Sequence, residues 1–179
     1  MARFDGRQVA ALDWVGVVAG ALALLDSFLS WRHVAGPNVE ELARTLGLKT
    51  WYTAWGSGVT AWLPVVLLAG AAALLLAPGL GLRIRAVPLL WLVMSAAALV
   101  LIVVRWSTLP TPDVALLRAR NLRPEDVDAG ASIGLYLGLV IAAISVLGAV
   151  LRVLATSKRV SQETPTVPPD PSGRPSVNG

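Results

Sequence analysis

The sequence predicts an all-α polytopic membrane protein: four transmembrane helices, with short amphipathic helices in the loops between them. Three observations carry this reading. Of 179 residues, 55% are hydrophobic and only 15% charged, a balance that places the chain among membrane proteins. The charges are also segregated, since residues 50–82, 86–104 and 129–151 contain none. Crossing a hydrocarbon core of about 30 Å takes roughly 20 apolar residues, and each tract reaches or nearly reaches that length. A soluble core would need a polar shell, and too few residues remain to build one.

Residues 1–11 form a short polar head carrying Arg3 and Arg7. The first span is expected over 12–31, with Trp14 and Trp31 placed as interfacial anchors. Its apolar stretch exceeds the roughly 7–15 residues of a signal-peptide core, includes Asp26 and precedes no small-x-small cleavage site, so it reads as a retained helix. In the following loop, Asn38 and Glu41 have capping-box spacing, and Val39, Leu42, Ala43 and Leu46 recur at helical period before Gly47. A two-turn amphipathic helix follows from this. It lies at the membrane surface or folds against the bundle, with Trp51, Tyr52 and Trp55 at interface depth.

The second span is expected over 59–77, with Pro64 in its early turns and Pro78, Gly79 and Gly81 ending it. Arg83 and Arg85 lead into a third span over 87–104, which Arg105 and Trp106 close. Thr111-Pro112-Asp113 then supplies an N-cap, a proline at the first helical position and an acid in the first turn, predicting a helix to about Arg120. Pro124-Glu125-Asp126 repeats the pattern before the fourth span, over 133–154. The membrane domain therefore covers 12–156. The tail, 157–179, is rich in Pro, Ser and Thr and is expected to be disordered. The PxxP spacing of Pro168 and Pro171 is common by chance in such tails.

The net charge of +4 would suggest nucleic acid in a soluble protein. Here Arg and Lys sit at the ends of hydrophobic segments, so the expected partner is the lipid bilayer and not nucleic acid. The absence of Cys excludes disulfides and thiolate chemistry, and the single His without an HExxH motif gives no metal set. No cofactor is expected. Four spans place both termini on one side. That side carries eight Lys/Arg residues against seven on the other. Arg83 and Arg85, with Arg152, Lys158 and Arg159, favour termini in the cytoplasm of a plasma-membrane protein, while Arg32 and Arg105 pull the other way.

Asp26 is the most informative position. It lies about 7–8 Å inside the expected end of its helix at 1.5 Å per residue, and an intramembrane acid is a functional candidate by default. At helical period Ser30 and His33 share its face, and Arg32 or Arg105 can supply a counter-charge. The alternative is a carboxylate that reaches interfacial water or locks two helices together. Gly130, Gly134 and Gly138, continued by Ala142, form a small-residue stripe; Gly16 and Gly20 form a shorter one. Such stripes let helices approach closely, within one chain or against another integral membrane protein or a second copy. Gly79-Leu80-Gly81 lacks the rest of a phosphate-loop fingerprint, and no serine sits in a nucleophile elbow.

Ala19-Gly20-Ala21-Leu22-Ala23-Leu24-Leu25, Ser27-Phe28-Leu29-Ser30-Trp31, Trp55-Gly56 and Gly134-Leu135-Tyr136-Leu137-Gly138-Leu139 together give a further signal. Over 12–155 the chain resembles an uncharacterised family of four-span integral membrane proteins from actinobacteria. The resemblance implies a cell-membrane location and no particular activity. It also implies proline at the place of Ser30 and a small or apolar residue at the place of Asp26, making that acid peculiar to this chain. The expected function is a non-enzymatic accessory, scaffold or assembly component of the cell envelope. A small oligomeric transporter or channel using Asp26, and a lipid-handling membrane enzyme, are the rivals.

Overall fold

A computed structural model describes residues 10–36, 39–46, 49–82, 84, 86–109 and 128–162. Its helices are α1 (Asp13–Asp26), α2 (Val39–Leu46), α3 (Val59–Leu76), α4 (Val87–Ser107) and α5 (Ile133–Gln162). Its strands are β1 (Arg32–Ala35), β2 (Trp51–Tyr52) and β3 (Asp128–Ala131). The fold is mostly helical but not all-α, because the strands form a sheet ordered β2-β1-β3. Both pairings are antiparallel; His33 faces Trp51 on one side and Gly130 on the other. The long helices pack in the cyclic order α1, α3, α4, α5, and α5 returns to α1.

Three helical segments are long and apolar enough to cross a membrane: Val59–Leu80, Val87–Ser107 and Ile133–Ser157. The chain is accordingly a multi-pass membrane protein in contact with lipid. The segment Val59–Leu80 is α3 extended by a 3-10 turn, Ala77–Leu80, and Gly81 closes that turn at φ 84°, a left-handed conformation that glycine adopts without strain. Pro64 sits one turn into α3, where the lost hydrogen bond frees only the carbonyl of the exposed Thr60. Gly58, at φ 94°, turns the chain from the cap into α3.

The first span, expected over 12–31, is not among these three segments. α1 has 14 residues, about 21 Å of helix, short of the hydrocarbon thickness. The local cause is Ser27. Its hydroxyl donates to the Leu24 carbonyl at 2.6 Å and accepts the Trp55 indole N–H at 3.0 Å. Side chains of this kind compete with the helical ladder. Phe28 and Leu29 donate to carbonyls three residues back, and Trp31 leaves the helix to donate to the Tyr52 carbonyl at 2.9 Å. The fourth span also runs longer than expected: the helix continues through Gln162, so the first residues of the expected tail are helical. Of the loop helices, Val39–Leu46 is present, with Ala43 buried. The helix expected at 111–120, the Pro124-Glu125-Asp126 cap, the head and the rest of the tail lie outside the described residues.

Two indoles fill the bundle. Trp31, 2% exposed, lies across α5 at Gly134 and Gly138; a Cβ at Gly134 would come 2.6 Å from the Trp31 ring and 2.8 Å from the Ser30 carbonyl. Trp91, fully buried, occupies the other half of the bundle against Gly16 and Gly148, and its N–H donates to Ser145 Oγ at 3.0 Å. Lipid tails are as apolar as leucine, so burial from water gives little drive for helices to associate within the bilayer. Close packing of large against small side chains must supply it. Leu68, Ile102 and Leu135 complete the core beside Trp31.

Gly134→Leu is therefore expected to lower the thermal midpoint in detergent, at an overpacking cost of about 1–3 kcal/mol. The same substitution at the exposed Ala143 serves as the control and should leave the midpoint unchanged; equal melting of the two variants would contradict this packing account.

Candidate functional site

The singled-out polar residues gather at the sheet end of the bundle, where α1 and α4 finish and α3 and α5 begin. The segment 27–34 organises that end. The Ser27 carbonyl accepts from the Ala54 N–H, the Ser30 carbonyl from the Gly134 N–H at 2.9 Å, and the Trp31 carbonyl from the Ser132 N–H. Both long loops are thereby tied to the end of α1 by main-chain hydrogen bonds.

Asp26 is the last residue of α1 and only 4% exposed. Both carboxylate oxygens are buried without a hydrogen-bond partner among the described residues. The Trp31 indole N–H goes instead to the Asp26 main-chain carbonyl at 3.1 Å. The carboxylate faces α5, and a Cβ at Gly138 would lie 3.1 Å from Oδ2. Its position at a helix C-terminus adds the partial negative charge of free carbonyls to an already costly burial.

The expected helical face of Asp26, Ser30 and His33 does not exist, because the helix ends at Asp26. Ser30 instead donates through Oγ to the Arg32 carbonyl at 3.3 Å. His33 lies mid-sheet, half-buried, its ring over the backbone of Gly130. Arg105, in the last turn of α4, is 9% exposed and lies within electrostatic reach of Arg32, a charge of the same sign. Among the described residues Arg105 forms no ion pair with Asp26. Arg32 also stands over the Tyr52 ring at 5.7 Å.

The glycine stripe divides. Gly130 belongs to β3, where its missing side chain leaves room for His33, while Gly134 and Gly138 belong to α5 and receive Trp31. Ala142 is fully buried on the same face. Gly16 and Gly20 meet α3 at Leu75, Leu68 and Ala72, and Gly16 also meets Trp91. Every glycine of both stripes thus touches a partner within this chain.

Two features escaped sequence reasoning. At the opposite end of the bundle, Arg152 of α5 pairs with the buried Asp13 of α1, Nε to Oδ1 at 2.8 Å. Opposite charges at the same membrane edge, on the first and last spans, are the signal that points to it. The second is an apolar groove of about 430 Å³ on the α1–α5 seam, lined by Trp14, Val15, Val18, Leu22, Ile141 and Ile144 among others.

Among the described residues no cluster of three His, Asp or Glu side chains is placed to hold a metal ion. His33 forms no hydrogen bond to a hydroxyl among them, so no nucleophile and base are assembled there. Among the described residues the site combines a buried acid without a hydrogen-bond partner and a buried guanidinium, which do not pair with each other. No protein-family model, curated protein or solved structure matches this chain.

Proposed function

We propose that the chain is a non-enzymatic accessory or assembly component of the cell membrane, in which a rigid bundle presents its sheet end and lipid-facing helices to another membrane protein. The observation that carries this reading is the filling of the bundle's interior. Trp31, Trp91, Leu68, Ile102 and Leu135 are all buried, and Ser95 returns its hydroxyl to the Trp91 carbonyl at 2.7 Å. A side-chain-filled interior suits a structural element better than a conduit. Exposed apolar side chains on every long helix, such as Val18, Val66, Val100 and Val140, supply surface for lipid or a neighbouring helix. The resemblance to the actinobacterial family stands on sequence motifs alone.

In this reading α1 is a short fourth span. It runs antiparallel to both of its neighbours, α3 and α5, and its 3-10 extension to Leu29 lengthens it by about 5 Å. Exposed Phe28, Leu29, Trp51, Trp55 and Trp106 form an aromatic and apolar belt at the sheet end, with Trp14 near the other. The sheet then lies outside the cell and both termini inside. Because the chain has no Cys, a single cysteine at the exposed Lys49 reports its side. It should react with a membrane-impermeant maleimide in intact cells; labelling only after lysis would reverse the topology.

The buried carboxylate of Asp26, without a hydrogen-bond partner among the described residues, favours one second reading, an ion- or proton-coupled oligomeric transporter. Purification of the native protein in mild detergent, with mass spectrometry of the intact assembly, separates the two. A stoichiometric membrane partner is the expected result. A chain recovered alone or only with itself would overturn the accessory role and direct attention to flux assays comparing wild type with Asp26→Asn.

A further inference from the structure

Arg105 poses a problem that the accessory role does not address. It is nine-tenths buried in the last turn of α4, yet makes no ion pair or hydrogen bond with any described residue. The carbonyls at the end of α4 favour a cation there, but Arg32 nearby adds a second positive charge that opposes it. Asp26, the buried acid at the same end, has both oxygens without hydrogen-bond partners and so does not neutralise it. Arg105 keeps 9% of its surface exposed. A buried guanidinium is costly unless an anion and hydrogen-bond acceptors compensate it.

The surroundings indicate the kind of anion. Val103, Val104 and Trp106 on α4, with Ile133 and Tyr136 on α5, are exposed apolar or aromatic side chains beside Arg105 in the chain or on the adjoining helix. Trp106 and Tyr136 meet edge to face, with ring centroids 6.3 Å apart. Aromatic rings of this kind settle at headgroup depth. The guanidinium fork matches two oxygens of a phosphate. We propose that Arg105 binds the phosphate of an anionic phospholipid headgroup, whose acyl chains lie along the apolar α4–α5 surface. A net negative headgroup fits a buried guanidinium better than a zwitterionic one, which brings its own ammonium group to the site.

The test uses the purified full-length chain in mixed micelles containing dioleoylphosphatidylglycerol, dioleoylphosphatidylcholine or inorganic phosphate. Phosphatidylglycerol should raise the wild-type melting temperature by several degrees and remain bound in native mass spectrometry; phosphatidylcholine should do neither. Arg105→Gln should weaken phosphatidylglycerol retention about tenfold or more, the scale of losing a charge-assisted hydrogen bond, and Arg105→Lys should restore part of it. Wild-type protein that does not distinguish the two lipids overturns the proposal, whatever the variants do. Retention unchanged in folded Arg105→Gln overturns the role of Arg105. Millimolar inorganic phosphate that reproduces the full shift would mark a free-anion site and overturn the lipid assignment.

Discussion

The docking of two indoles into small-residue faces is the constraint on which the rest of the structure depends. An indole offers the largest apolar surface of any side chain and a single N–H that must find an acceptor when no water is present. Trp31 and Trp91 solve both requirements from opposite ends of the bundle. Each lies where a neighbouring helix carries Gly or Ser, and each N–H reaches an oxygen at 3.0–3.1 Å. α5 serves both: Gly134 and Gly138 admit Trp31, while Ser145 and Gly148 receive Trp91. Trp31 also starts the excursion into the sheet, so one side chain fixes the core and the origin of the cap together.

The polar groups divide along the same axis. At the end holding the 77–80 turn, Asp13 and Arg152 meet as a partly buried pair that closes α1 onto α5. At the sheet end the buried acid and the buried guanidinium remain apart, although their charges are complementary. The first arrangement is what a structural ion pair looks like. The second leaves Asp26 and Arg105 with electrostatic needs that the described residues do not meet. A membrane protein has limited means of meeting them: a proton, a lipid headgroup or a partner's side chain.

Much of this architecture was legible in composition and charge spacing. The spans expected at 59–77, 87–104 and 133–154 locate α3, α4 and α5 to within a few residues, except that α5 runs on to Gln162. Pattern reasoning also finds Val39–Leu46 from the period of Val39, Leu42, Ala43 and Leu46. The sheet was not legible, for a physical reason. β2 has two residues and β1 and β3 four each, too short for an alternating pattern. The pairing of β1 with β3 also joins segments nearly a hundred positions apart in the chain. Without the strands, the sequence puts Ser30 and His33 on the helical face of Asp26 and makes Trp31 the interfacial anchor of the same span, although the helix ends at Asp26. The small-residue spacing of Gly134 and Gly138 did mark a close approach. What no periodicity discloses is that a side chain from the cap, and not a helix backbone alone, fills it.

Hydrogen exchange at the seven tryptophan indoles tests the central claim most directly, by NMR on the isotope-labelled protein in micelles. The account predicts that the Trp31 and Trp91 N–H signals exchange most slowly and resist a soluble paramagnetic quencher, while Trp51 and Trp106 exchange fast. Exchange of Trp31 as rapid as that of Trp51 would show that the indole is not seated on α5, and would contradict the structural account built around it.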